Sequence, residues 1–427
     1  MSIAFSLLFI AIAFVPASVF LDGHVANSVT ASLAATGVAF VAISARAADV
    51  NFAALVTRRL KLAAAVPAIW IVVQILPAPY SSHSIWINAN EALNQQSWGH
   101  ISIDIGNTFE ALTFYLANVS LIVVGLFVAT VRRRAELILW ALAAATTLTM
   151  IVLLVTKWGL IAGLATSEMN DIISAFSSLG IVLSLTTGVL AVERYESQPA
   201  DPTRPAPKIQ MALVFCIFGL LVGIGGLANS ATLNVALTAA FGVLAFGSVQ
   251  AIRRAGVAGW ATGILITTLV VATAMIILWR YDSNGVRSPF LQFATSASPD
   301  AILAAQRILL DTSWLGTGAA TYASLLPIYG SSVTGAPSSV ATLAIELGWP
   351  MTLFTIAAAV GLVVVLYRGA LIRGRDSFYS AAAASCTVII LAQAFCDANL
   401  LHSSVAVIGD AVIGLGLAQS VSRGNSP

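Results

Sequence analysis

Long, unbroken runs of apolar residues separated by short polar stretches run through this chain. The runs do not alternate apolar with polar positions, so they read as helices and not as the strands of a membrane barrel. They fall near residues 3–20, 28–44, 62–77, 107–130, 136–156, 170–192, 209–228, 231–251, 258–279, 338–366, 377–396 and 401–421. Crossing a bilayer takes roughly 20 mostly apolar residues, and a helix satisfies its own backbone there. The fold expected is all-α: a polytopic integral membrane protein of about 12 transmembrane helices. Helices one to nine occupy 1–279 with a first outer loop near 78–106, a long loop fills 280–337, and helices ten to twelve occupy 338–427.

The 280–337 stretch is the one long polar interruption near the C-terminal end, and loops of that length are commonly functional. Within it, Ser298 is placed to cap a helix, with Pro299 at its first position and Asp300 in its first turn. The pattern puts Ile302, Leu303, Leu309 and Leu310 on one face and Arg307 and Asp311, four apart, on another. That predicts an amphipathic helix at the membrane surface, ended by Gly316-Thr-Gly318. A second polar stretch, Glu193 to Lys208, carries four prolines and divides the spans six and six.

Composition agrees with this reading. Hydrophobic residues make up 59% of the 427 and charged residues 9%, against roughly 25% charged in an ordinary soluble domain. Charge then sets the orientation. With both termini cytoplasmic, only Lys157, Arg280, Arg287 and Arg307 of the 20 basic residues fall outside. The basic residues form no cluster suited to nucleic acid, and no nucleic-acid partner is expected. The first run follows Met1-Ser2 with no basic flank or cleavage site and reads as a retained helix. Cys216, Cys386 and Cys396 lie in apolar runs, so neither a disulfide framework nor a metal site is indicated. No cofactor is expected.

Candidate chemistry is sparse. Arg280, Arg287 and Arg307 are outer-face arginines in one loop, with guanidinium groups suited to phosphate; pairing with Asp282, Asp300 and Asp311 is the competing reading. Glu346, near the outer end of span ten, and Asp397 with His402, at the outer hairpin joining the last two spans, are ionisable candidates at the membrane. Asp410 sits deep in the last span, where an ionisable group is costly, and either a hydrogen bond to a neighbouring helix or a function explains it. Asp171 and Glu110 stand near helix starts, where a carboxylate is stabilised by the dipole.

Three stretches resemble the bacterial O-antigen ligase and polymerase superfamily, which includes exopolysaccharide polymerases. They are Leu76-Pro-Ala-Pro79 with Trp86 and Ile101-Ser-Ile-Asp104 and Thr108; Asn170-Asp-Ile-Ile-Ser-Ala-Phe176; and Ile308 to Gly318 followed by Leu343-Ala-Ile-Glu-Leu-Gly348. The resemblance implies a glycosyltransferase of the bacterial inner membrane. Its partners would be the lipid bilayer, a polyprenyl-pyrophosphate-linked glycan and other polysaccharide export proteins. It would pass the glycan to an acceptor hydroxyl at the periplasmic face. Arg280, Arg287 and Arg307 would bind the pyrophosphate, and Glu346, Asp311 or His402 would act as base. Two departures stand out. Where family ligases carry a His-Asn pair before the Glu-x-Gly helix, this chain has Ala336-Pro-Ser-Ser339. Where they place an arginine ahead of the glycine motif, it has Ser298. A twelve-helix secondary transporter is the alternative, although no Gly-x-x-x-Asp-Arg loop joins spans two and three. A non-catalytic family member in polysaccharide export is another.

Overall fold

The computed structural model describes residues 1–58, 60–78, 83–94, 98–159, 169–196, 207–230, 232–255, 288, 290–295, 297–329, 335–373 and 376–421. In chain order the helices are α1 Ser2–Ser18, α2 Gly23–Ser44, α3 Ala47–Thr57, α4 Lys61–Ile75, α5 Ser84–Leu93, α6 Ile105–Val128, α7 Arg132–Lys157 and α8 Met169–Glu196. Next come α9 Pro207–Ser230, α10 Leu233–Ala255, α11 Pro299–Asp311 and α12 Tyr322–Leu325. The last are α13 Ser339–Leu347, α14 Trp349–Ile372, α15 Ser377–Gln393 and α16 Ser403–Ala418. A single-pair bridge, Pro77 with His100, is the only strand-like pairing among the described residues.

The protein is all-α, and seven of the described helices are long and apolar enough to cross a membrane: α2, α6, α7, α8, α9, α10 and α14. Shorter apolar helices, α1, α4, α15 and α16, stand where four more runs were expected. The expected span 258–279 lies outside the described residues. One expectation is corrected. The run 338–366 is two helices, broken at Gly348 (φ +80), where an added Cβ would sit 2.1 Å from the Trp314 carbonyl oxygen. Trp349 and Pro350 then open α14, because proline suits a first turn that lacks N–H partners.

The main core is built from α1, α6, α7, α8, α15 and α16. Helices α15 and α16 are buried on nearly every side, as helices apolar all round should be. Small residues let the backbones close up: a Cβ on Gly125 of α6 would lie 3.2 Å from the Gly414 Cα of α16. Arginines from separate expected inner loops gather at one end of the bundle. There Arg132 pairs with Asp376 at 2.9 Å, Arg194 with Glu136, and Arg253 bonds the Ser377 hydroxyl. The described parts of the two long polar loops meet one another through the Ile103 N–H and the Thr317 carbonyl at 2.9 Å.

Candidate functional site

At the loop end, α13 connects two buried polar clusters. Ser298 and Ser338 are both helix caps. Ser298 Oγ accepts from the Ala301 N–H at 3.2 Å to start α11. Ser338 Oγ accepts from the Ala341 N–H at 3.2 Å to start α13. A cap of this kind contributes about 1 kcal/mol.

The first cluster gathers at the C-terminal end of α13. Gln74, fully buried near the end of α4, donates its amide to the Glu346 carbonyl at 2.8 Å and the Leu315 carbonyl at 3.1 Å. Its Oε1 accepts from the Ala319 N–H at 3.2 Å. Ser102 binds the Thr108 hydroxyl at 2.7 Å, and Thr108 donates to the Ala319 carbonyl at 3.0 Å. Backbone bonds complete the junction: Ile103 N–H to the Thr317 carbonyl, Thr317 N–H to Ile345 and Gly318 N–H to Glu346, at 2.9, 3.0 and 3.0 Å. Thus the 101–108, 314–322 and 346–348 segments, far apart in sequence, form one polar knot. Besides Gly348, its approach is too close for side chains at two more points. An added Cβ on Gly316 (φ +81) would fall 2.3 Å from the Glu346 carbonyl oxygen, and one on Gly318 (φ +106) 2.4 Å from Ser102 Oγ.

Glu346 lies in this knot and is 7% exposed. Its Oε1 accepts from the Tyr322 N–H at 3.1 Å, and the Ala320 N–H also binds the carboxyl. Burial outweighs these two donors and pushes the carboxyl up to about 7. A carboxyl poised there is suited to exchanging a proton near neutral pH. Burial, then the Glu346 charge, pushes the Tyr322 phenol up to about 12.

The second cluster gathers at the N-terminal end of α13. The Asp397 backbone carbonyl accepts from Ser339 N–H and Oγ at 2.9 and 3.0 Å. The Asp397 carboxyl, 1% exposed, takes the Asn399 N–H at 3.3 Å and the Ser174 hydroxyl at 3.4 Å. Burial, then the charge of Asp171, holds it well above the usual carboxylate range. Gln393 bridges Ser178 at 2.8 Å and Asn399 at 3.1 Å. The Asn170–Phe176 stretch therefore meets this second cluster and not the first.

The predicted site residues fall in different places. Glu346 lies in the first cluster. His402 heads α16, next to the hairpin at the far end of α13, about 10 Å along that helix at 1.5 Å per residue. Asp311 ends α11 and binds the Tyr329 hydroxyl. Arg280 and Arg287 lie outside the described residues. Arg307 is exposed on α11, and the expected faces of that helix are corrected. Ala301, Ala304, Ala305, Ile308 and Leu309 are buried, because the small alanines let α11 pack close to α13. Leu303 and Leu310 share the exposed side with Arg307, at 51% and 68% exposure. The helix ends at Asp311, before the expected Gly316.

Sequence reasoning missed Gln74, Gln393 and Asn399. The signal available for Gln74 was an uncharged amide inside an apolar run, which must find polar partners wherever it is buried. Glu110, read as a dipole carboxylate, instead binds His24 Nδ1 at 2.8 Å. Among the described residues no group of His, Cys, Asp and Glu is placed to hold a metal ion. Compared with known proteins, the chain matches no family model and no curated relative.

Proposed function

We propose that this chain is a glycosyltransferase of the O-antigen ligase and polymerase type. In this reading it has about 12 membrane helices with both termini cytoplasmic, and it works at the periplasmic face of a bacterial inner membrane. The donor is a glycan on a polyprenyl pyrophosphate. The acceptor hydroxyl oxygen bonds to the anomeric carbon as the bond to pyrophosphate breaks, the electron pair leaving with the pyrophosphate. The hydroxyl proton passes to a base. Glu346 is the candidate base, because of the three carboxyl and imidazole candidates it alone is enclosed in the knot with its carboxyl near neutral.

One observation carries this reading: two of the three stretches that resemble the family close on one another around Glu346 through Gln74, Ser102, Thr108 and the Gly316–Gly318 turn. The exposed side of α11 supports it. Arg307 stands between Leu303 and Leu310, and Trp314, three residues past the end of the helix, is 75% exposed. A guanidinium edged by apolar side chains suits an amphiphile with a pyrophosphate head. The Glu346 carboxyl also clamps the Ala320–Tyr322 backbone, which favours the non-catalytic family member as second reading.

The test is the surface glycan of a strain lacking the protein, resolved on a gel. Shortened chains indicate a polymerase, and loss of glycan-capped lipid A core indicates a ligase. An unchanged glycan would count against both.

A further inference from the structure

Apart from the loop-end site, the bundle holds a buried carboxyl that the proposed reaction does not use. Asp410 lies in the middle of α16, is 9% exposed, and its Oδ2 has no hydrogen-bond partner. Asn118 on α6 has an Oδ1 that is likewise shut off from solvent and unpartnered. Both residues lie along the packed pair α6 and α16. Helices α6 and α16 run in the same direction, with Gly125 against Gly414 and, at their ends, Gln419 donating to the Ala129 carbonyl at 2.5 Å. Asn118 is one heptad before Gly125 and so shares its face, within about 20°. Asp410 stands four residues before Gly414 and so lies within about 40° of its face. Tyr115, one turn before Asn118, lies within electrostatic reach of Asp410.

An ionised carboxylate without a partner is the costliest group to keep at such a place. The two unpartnered oxygens are both acceptors, so neither can satisfy the other. One proton changes that, because a neutral carboxyl gains an O–H to donate while the amide oxygen accepts. We infer that Asp410 and Asn118 form a proton-binding site inside the helix bundle, with the neutral Asp410 carboxyl donating to Asn118 Oδ1. Among the described residues the surrounding helices offer no counter-charge at this depth. Away from the helix ends, Tyr115 on α6 and Cys386 on α15 are the titratable groups, α1 carries none, and those of α2, α3, α7 and α8 stand near their ends. Cys386 is itself buried and free.

Infrared difference spectroscopy of the full-length protein in lipid at neutral pH tests the site. The wild type should show the carbonyl stretch of a protonated carboxylic acid that is lost in Asp410→Asn. In Asn118→Val, which keeps the acid, the same band should persist and move to higher frequency as its hydrogen bond is lost. That second variant keeps the test readable if Asp410→Asn does not fold. If Asp410→Asn instead removes a carboxylate band, Asp410 is ionised and the proton site is overturned. An unmoved acid band in Asn118→Val would also overturn the pairing.

Discussion

Replacing Glu346 with glutamine keeps the shape and the acceptor oxygen but removes the titration. The carboxyl is held at about 7 in the folded protein against an ordinary 4.5. At 1.36 kcal/mol per pH unit, that difference amounts to about 3 kcal/mol. The sign follows from the direction. The folded state binds this proton more tightly than the unfolded chain, so the contribution is fully present below about 4.5 and is lost as pH rises through about 7. Above that, the wild type buries an ionised carboxylate that Glu346→Gln lacks. Thermal unfolding of both full-length proteins in detergent micelles, followed by tryptophan fluorescence, measures the difference. The wild type should lose about 3 kcal/mol relative to the variant across this window. Comparing the two cancels Asp397, which is raised in the same direction. A stability difference that stays constant with pH would refute the argument and show that the carboxyl is as well solvated in the fold as out of it.

Other consequences are as direct. Gly318→Ala forces a side chain onto φ +106 and into Ser102, and should cost at least about 2 kcal/mol from strain and overpacking, read as a lowered unfolding midpoint. Arg307→Ala should reduce glycan transfer far more than protein level, and Arg307→Lys should restore it only partly, because the planar fork is lost; unchanged glycan at normal expression would remove Arg307 from the site. Single cysteines at Gly330 and Gln198 should react with a membrane-impermeant reagent in intact cells at Gly330 only, and the opposite pattern would reverse the orientation.

Much of the architecture was legible because it rests on local chemistry. Continuous apolar runs gave the helical class, and Ser298-Pro-Asp300 gave the start of α11. The faces of α11 were misread because all the large apolar residues were grouped on one face and Arg307 on another, whereas close packing on α13 selects the alanines and leaves Leu303 and Leu310 beside Arg307. The break at Gly348 was concealed within a long apolar run, although a glycine two residues before Pro350 was its signal. Glu346 was singled out from the sequence, but what surrounds it was not. Gln74 reaches it across 272 residues, and no periodicity reports a contact of that range. The second cluster was hidden for the same reason: Ser174 meets Asp397 across 223 residues.

The central claim is that Glu346, at the meeting of these segments, takes the acceptor's proton during glycan transfer. The direct measurement supplies a polyprenyl-pyrophosphate-linked glycan and its acceptor to wild type and Glu346→Gln, both folded and inserted in lipid, and follows the release of polyprenyl pyrophosphate with the gain of glycan on the acceptor. The account predicts both products from the wild type and neither from the variant. Full transfer by Glu346→Gln would contradict it and leave the carboxyl as a clamp on the Ala320–Tyr322 turn.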